Sequence, residues 1–324
     1  MPISALERVD AEASREGAVN AHVSCIACGA GAAEPYVTSR AQMSASRSWF
    51  EFSRCRACGL VYLDPPPSGD ALRTYYENYL PHRGSGAWGR FARFVDAGQR
   101  ATDRARVRLA RQVVALDHRH AVLDVGCGRP TFLEALRART GARAVGFDWS
   151  SAGWTAAGDD WRGLELHEGE LDGVAVDGAF DLITLWHVLE HLDAPVRTLE
   201  MLRGRARPGA CIVVEVPDVE SLTARMQGAG WAGFHTPRHM AAYSARTLAG
   251  VLERAGWRDV QVRRHGTLDP FVLWWLGRQE RAGWPSGSME PLFPAFLLRK
   301  ILTLPVTALR SLIPLGIMTA VARA

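Results

Sequence analysis

Residues 121–128, AVLDVGCG, constrain this chain more than any other stretch. The apolar run Ala121-Val122-Leu123 leads into Asp124, then Gly126-Cys127-Gly128, then a helix-like segment from Thr131. That order predicts a strand, a tight turn and a helix start. Glycine is needed where the backbone takes positive φ or where a ligand comes close. The start of the next helix offers unpaired N–H groups to a polar ligand. A nucleotide-type ligand at the first strand of an open α/β sheet fits this pattern. A dinucleotide fits less well, because Thr131 stands where that fingerprint wants its third glycine. Pro130 suits the first turn of a helix.

The downstream chain keeps the same rhythm. A helix-like TFLEALRART is followed by a second apolar strand, ARAVGFDWS, which carries Asp148. Asp148 lies about 20 residues beyond Gly126, the spacing of a carboxylate that accepts hydrogen bonds from both ribose hydroxyls. A third strand, LELHEG, leads to Glu170, and a fourth, FDLITLWHV, to LEHLDAP. A helix, a Pro208-Gly209 turn, a fifth strand (ACIVVEVPD) and a sixth (DVQVRRHG) follow. Taken singly, each residue has a plainer reading. Asp148 could cap a helix at Ser150 and Ser151, Glu170 could be a surface carboxylate, and Trp186 could be core.

As a set, DVGCG…GFDWS…EGEL…FDLITLWHVLEHLDAP…RPGACIVVEVPD resembles the class I S-adenosylmethionine-dependent methyltransferases. It is most similar to the group with LEHL-D-P after the fourth strand and a four-cysteine zinc-ribbon leader. The resemblance covers roughly residues 119–266. It implies an α/β fold: a Rossmann-like seven-stranded sheet with helices on both faces, closed by an antiparallel last strand, IMTAVARA. It also implies site roles. Asp124 and the backbone of Gly126, Cys127 and Gly128 would hold the methionine end of the cofactor. Asp148 would bind the ribose, with Trp149 beside the adenine and Glu170 and Leu171 at its edge. Trp186 and His187 would line the floor near the methyl group. Tyr75, Tyr76 and Tyr79, in the segment after the cysteines, would lie over the cofactor, although tyrosines spaced i, i+4 also suit a core stripe.

Six cysteines are present, four of them as Cys25-x-x-Cys28-Gly29 and Cys55-x-x-Cys58-Gly59. Two such knuckles place four thiolates where tetrahedral zinc wants them. Four cysteine ligands leave no open coordination position, so the zinc is expected to be structural. A segment this small lacks a core of its own and needs the metal to fold.

Methyl transfer is an in-line displacement on a sulfonium carbon, helped by positioning and, for some acceptors, by a base. Three histidines are candidate catalytic groups: His239 first, then His235, both in the loop GWAGFHTPRHMAAYS, and His187 at the end of the fourth strand. Arg238 and His239 would otherwise serve only to anchor that loop. The set His187, Glu190 and His191 resembles the ExxEH stretch that ubiquinone-type O-methyltransferases use for a metal, with His187 replacing the first acid; the plainer reading of Leu189-Glu190-His191 is structural, capping the next helix and supporting the site floor.

The chain has 324 residues, enough for about two domains, and 48% of them are hydrophobic. Its net charge is +4, yet Lys300 is the single lysine, and no Lys/Arg block marks a nucleic-acid patch. The expected layout is a disordered tail (1–20), the zinc module (21–66), a helical linker and cofactor cover (67–118), the catalytic domain (119–267 and 317–324) and a hydrophobic insertion (268–316). The N-terminus lacks a signal-peptide core, and a cytoplasmic protein is expected. Arg299, Lys300, Arg310 and prolines interrupt the insertion, so no uncharged run reaches the roughly 18 residues of a spanning helix. Residues 290–316 would instead lie on the inner membrane face, form a homodimer face, or cover an apolar substrate.

The expected function is methyl transfer from S-adenosylmethionine to oxygen or carbon of a lipid, glycan or specialised metabolite. Two alternatives are an RNA methyltransferase whose zinc ribbon touches RNA, and a non-catalytic cofactor-binding membrane adaptor.

Overall fold

The computed structural model describes residues 23–44, 46, 48–77, 85–155, 161–169, 179–282 and 289–324. The expected tail at 1–20, and the site candidates Tyr79, Glu170 and Leu171, lie outside them.

The cysteine module folds as three antiparallel strands, β1 (Ala33–Arg40), β2 (Trp49–Cys55) and β3 (Val61–Leu63). Helix α1 (Gly69–Glu77) follows, then a 3-10 segment and the long helix α2 (Ala92–Val113). From there strands and helices alternate: β4 (Ala121–Val125), α3 (Thr131–Thr140), β5 (Arg143–Asp148), α4 (Ala152–Thr155), β6 (Glu165–Glu168), β7 (Phe180–Trp186), α5 (Pro195–Gly204) and β8 (Ala206–Pro217). Then come α6 (Leu222–Gln227), a short β9 (Ala241–Ala242), α7 (Ala245–Arg254), β10 (Arg258–Arg263), α8 (Pro270–Arg281), α9 (Phe293–Ala308) and β11 (Ile317–Arg323).

The main sheet runs β10-β11-β8-β7-β4-β5-β6. Its centre is parallel, and β11 pairs antiparallel with both β8 and β10, as the resemblance implies. Parallel strands covered on both faces read as unbroken apolar runs, and β4 is buried at every position. Alternate residues go to opposite layers. Leu123, Ile183 and Val214 pack with Leu199, Leu248 and Trp257 from α5, α7 and the following turn. Val122, Leu182 and Val213 pack with Val107 and Ala110 of α2 and Phe132 and Leu136 of α3.

Two details differ from the sequence reading. Pro208-Gly209 does not end a turn before the strand; β8 runs through it, and the β7–β8 register shifts there to absorb the extra residues. The cysteine module is also not self-contained, because β9, from the catalytic domain, adds a fourth strand beside β3. Buried Arg238 reinforces that junction by donating to the carbonyls of Gln42 and Tyr75.

The hydrophobic insertion becomes α8, mostly buried, and α9, mostly exposed. Residues Glu290–Ala308 form a helical stretch long and apolar enough, by length and composition alone, to cross a membrane. The sequence count missed this because the interrupting Arg299 and Lys300 leave the average apolar.

Candidate cofactor and acceptor site

The glycine loop at the end of β4 is latched to its neighbour. The N–H groups of Gly126 and Cys127 both donate to the carbonyl of Phe147, at 2.7 and 3.0 Å. Gly128 N–H donates to the Asp148 carboxylate at 2.8 Å. Gly126 and Gly128 have φ of 68° and 50°, which suits glycine and strains other residues. Two further glycines, missed in the sequence, make the loop possible. A Cβ at Gly153 would collide with the backbone of Gly128, and one at Gly146 would press on the Cys127 sulfur. Close approach of α4 and β5 to the loop therefore demands glycine at both positions.

Asp124 is buried, and the Thr184 hydroxyl donates to it at 2.6 Å. Burial pushes its carboxyl up to about 7. Asp148, Trp149 and Tyr76 stand together at the neighbouring strand end. Trp149 is 61% exposed and meets the Tyr76 ring edge-on at 5.7 Å. An exposed tryptophan beside a strand-end carboxylate leaves an aromatic face for a flat ring.

A cavity of about 1740 Å³ opens from this loop. Asp124, Gly126, Cys127, Gly128, Trp186 and His187 line its inner end. Phe293, Phe296, Leu297 and Leu304 of α9, with Val272 and Leu276 of α8, line the outer end. Asp148, Trp149 and Tyr76 are not among its lining residues, so the ribose and adenine candidates stand beside this cavity rather than on its wall.

His187 is the polar centre of the inner end. Its φ of 60° is a left-handed conformation that a non-glycine residue rarely adopts, and such strain concentrates at functional sites. Its imidazole is 22% exposed and lies 3.3 Å from Glu190 on one side and 3.3 Å from Glu215 on the other. Burial alone would lower its pKa; the two carboxylates outweigh that and raise it to about 9. Glu215 is buried too, but His187 and the Thr267 N–H hold it down at about 2. A lone acid inside the apolar run VVEVP was the signal for it. Arg106 of α2 covers the Trp186 ring at 4.8 Å, so Trp186 is at once core and cavity wall.

The other two candidate bases sit elsewhere. His239 is 5% exposed, bonds the Gly233 carbonyl through Nδ1 at 2.8 Å, and is held low, at about 4, by burial. His235 accepts from Arg238 Nε at 3.1 Å. Neither lines the cavity; both pack behind it with His191. The structure thus places the two candidate bases of this loop apart from the cavity lining, with β9 pairing and Arg238 holding them inward. The His187, Glu190 and His191 set does not stay together as one cluster. His191 turns from Glu190 to Tyr76 and the Arg238 carbonyl, and its ligand atoms group with those of His235 and His239 within 4.8 Å.

The four cysteines converge. Cys25 and Cys58 sulfurs are 3.6 Å apart, and Cys28 and Cys55 are 3.5 Å apart. Four thiolates about 2.3 Å from a tetrahedral zinc stand roughly 3.8 Å from one another. Gly29 and Gly59, at φ 71° and 83°, close the two knuckles. This donor set suits a structural zinc.

A glycine loop at the first strand of a parallel sheet, with carboxylates at the next strand end, defines an enzyme built around a nucleoside cofactor. The comparisons name its kind. The family described as a methyltransferase domain matches residues 94–262, and the chain belongs to it. The sheet on which this domain is built is Rossmann-like. A tRNA U34 carboxymethyltransferase of Idiomarina loihiensis is 32% identical over 111 residues, 34% of this chain and 32% of that protein. An uncharacterized 37.1 kDa protein in transposon TN4556 of Streptomyces fradiae is 33% identical over 130 residues, 38% of each. The chain thus spans about a third of the length of the curated relatives it matches. Among solved structures, the putative methyltransferase in complex with the Haloferax volcanii Trm112 activator has a TM-score of 0.49 at 18% identity. That alignment covers 74% of this chain and 97% of the other.

Proposed function

We propose that this methyltransferase acts on oxygen or carbon of a small hydrophobic acceptor, a lipid, glycan or specialised metabolite. The observation that carries this reading is the two-ended cavity: polar groups at the glycine loop, and the apolar side chains of α8 and α9 at the mouth. S-adenosylmethionine supplies an activated methyl group on a sulfonium. The backbone of Gly126–Gly128 and Asp124 would take its methionine end, Asp148 its ribose, and Trp149 its adenine. Tyr76 would cover the nucleoside from α1.

His187 stays protonated near neutrality between two carboxylates. Both of its ring nitrogens face those carboxylates, so it would offer an acceptor oxygen positive charge rather than a free N–H or a base. An acceptor already ionised, such as a phenolate or an acidic carbon, suits such a site. The apolar mouth excludes water and holds the acceptor's hydrocarbon in line, which is where most of the rate gain in a displacement comes from.

One observation favours a second reading. The exposed charges of α2 are arginines, and a relative over a third of the chain is named a tRNA-modifying enzyme. A single experiment separates the two: methyl-labelled cofactor is incubated with enzyme and cell extract, and label is counted in the organic-soluble and RNA fractions. Label in the organic fraction supports the hydrophobic acceptor. Label confined to RNA overturns it.

A further inference from the structure

Helix α9 is unusual in being apolar on two opposite faces. Its inner face lines the cavity through Phe293, Phe296, Leu297 and Leu304. Its outer face leaves Leu298, Ile301 and Leu302 in solvent, Leu302 being 68% exposed, and Leu312 beyond it is 78% exposed. Residues 291–315 contain no acid at all. Isolated exposed leucines are common, but a contiguous patch of this kind marks an interaction surface.

The opposite wall of the cavity says what covers that patch. Helix α2 lines the cavity through Phe94, Ala101 and Ala105. Beside that wall it exposes Arg93, Arg100, Arg104, Arg108 and Arg111. Steps of 7, 4, 4 and 3 residues put all five on one helical face, read from their numbers. Both acids of the helix, Asp96 and Asp103, are at least partly buried. The stripe escapes a search for basic blocks because no two of these arginines are adjacent in sequence, and it corrects the expectation that the chain lacks one. Helices α2 and α9 meet through Phe94 and Phe293, 5.5 Å apart, and Phe91, just ahead of α2, stacks on Phe293 at 4.1 Å. Arginines on one lip and leucines on the other frame a single mouth.

We propose that this face docks on an anionic membrane surface, with α9 immersed in the interface and the α2 arginines on the lipid headgroups, so that the cavity opens onto the bilayer. The arginine stripe supplies the charge complementarity, and the acid-free leucine face supplies the apolar anchor. RNA would satisfy the arginines but leave the leucines in water. A second copy would cover the leucines but set the arginine stripes against each other. Helix α9 lies along the surface rather than crossing it. It follows α8, which packs on the catalytic domain, and precedes β11, which lies between β10 and β8 in the main sheet, so both its ends belong to one body. The proposal rests on the cavity being the acceptor site, and it makes that acceptor an amphiphile drawn from the membrane.

The test is flotation of the full, zinc-loaded chain with vesicles of phosphatidylcholine alone or mixed with phosphatidylglycerol. The expected result is binding to the mixed vesicles, weakened by salt. Leu298→Asp/Leu302→Asp should lower it by about tenfold or more. Each of Arg100→Gln and Arg104→Gln should lower it about fivefold. None of these side chains lines the cavity, so calorimetric affinity for S-adenosylhomocysteine should be unchanged in every variant, which also shows that each folds. The proposal is overturned if wild type ignores phosphatidylglycerol vesicles while binding S-adenosylhomocysteine. It is equally overturned if the leucine variant floats as well as wild type, or if it merely turns a dimer into a monomer. Arginine variants that lose affinity for bulk tRNA, in a protein that never floats, would show the stripe to be an RNA contact. Vesicle binding without S-adenosylhomocysteine binding would strike the cofactor site and leave the docking intact.

Discussion

The two ends of the cavity are built by opposite means. At the inner end, position is everything: Gly126 and Gly128 sit at positive φ, Gly153 of α4 admits the backbone of Gly128, and His187 is pinned at 3.3 Å between two carboxylates. At the outer end, α9 offers non-directional apolar surface, and much of it remains exposed. Directional groups hold one small cofactor in one pose. Apolar surface tolerates any acceptor of about the right girth, and it tolerates substitution.

The sharpest way to break this contrast is to remove the wall both ends share. Residues 39–44, Ser46 and Trp49 of the cysteine module line the cavity, and β9 and Arg238 tie that module to the catalytic domain. Structural zinc binding supplies on the order of 10 kcal/mol of folding free energy. Chelation, or Cys28→Ser with Cys55→Ser, should therefore melt the module and lower the thermal midpoint by many degrees. An unchanged melt with chelator would mean that the module stands without metal.

Core and surface leucines sharpen the contrast next. Leu185, buried in β7 under the site, should cost about 2–5 kcal/mol when cut to alanine. His187 gives an intermediate effect with a definite sign. Its pKa is raised from the ordinary 6.5 to about 9, so its contribution to stability is whole below 6.5 and is lost as pH rises through 9. His187→Gln should flatten the alkaline fall in denaturant midpoint between those values, and an unaltered slope would remove the charge from His187. Leu302→Ala on α9 should be the smallest change, within about half a kcal/mol by chemical denaturation. A loss as large as that at Leu185 would mean that the helix is part of the core.

The same contrast governs what the sequence displays. The glycine loop, Asp148 and the paired cysteines are legible because their chemistry depends on short, fixed spacings. The burial of His239 is not legible, because it is decided by β9 pairing with a strand far upstream. Gly146 and Gly153 look ordinary, since what demands them is a neighbour's approach. The arginine stripe of α2 is visible only when the residues are wound at 3.6 per turn. Glu215, a single acid in an apolar strand, is not singled out, because its partner His187 lies just past the end of the neighbouring strand β7 and that pairing belongs to the fold.

The most direct test of the account is calorimetric titration of S-adenosylhomocysteine into wild type and Asp148→Asn. Asparagine keeps an oxygen for the Gly128 N–H, so the loop is preserved while the charge is removed. The account predicts wild-type binding on the order of micromolar and a loss of about tenfold or more in the variant, the scale of a hydrogen bond to a charged group. Equal affinity in the two proteins, or no binding by the zinc-loaded wild type, would contradict the placement of the cofactor at this strand end.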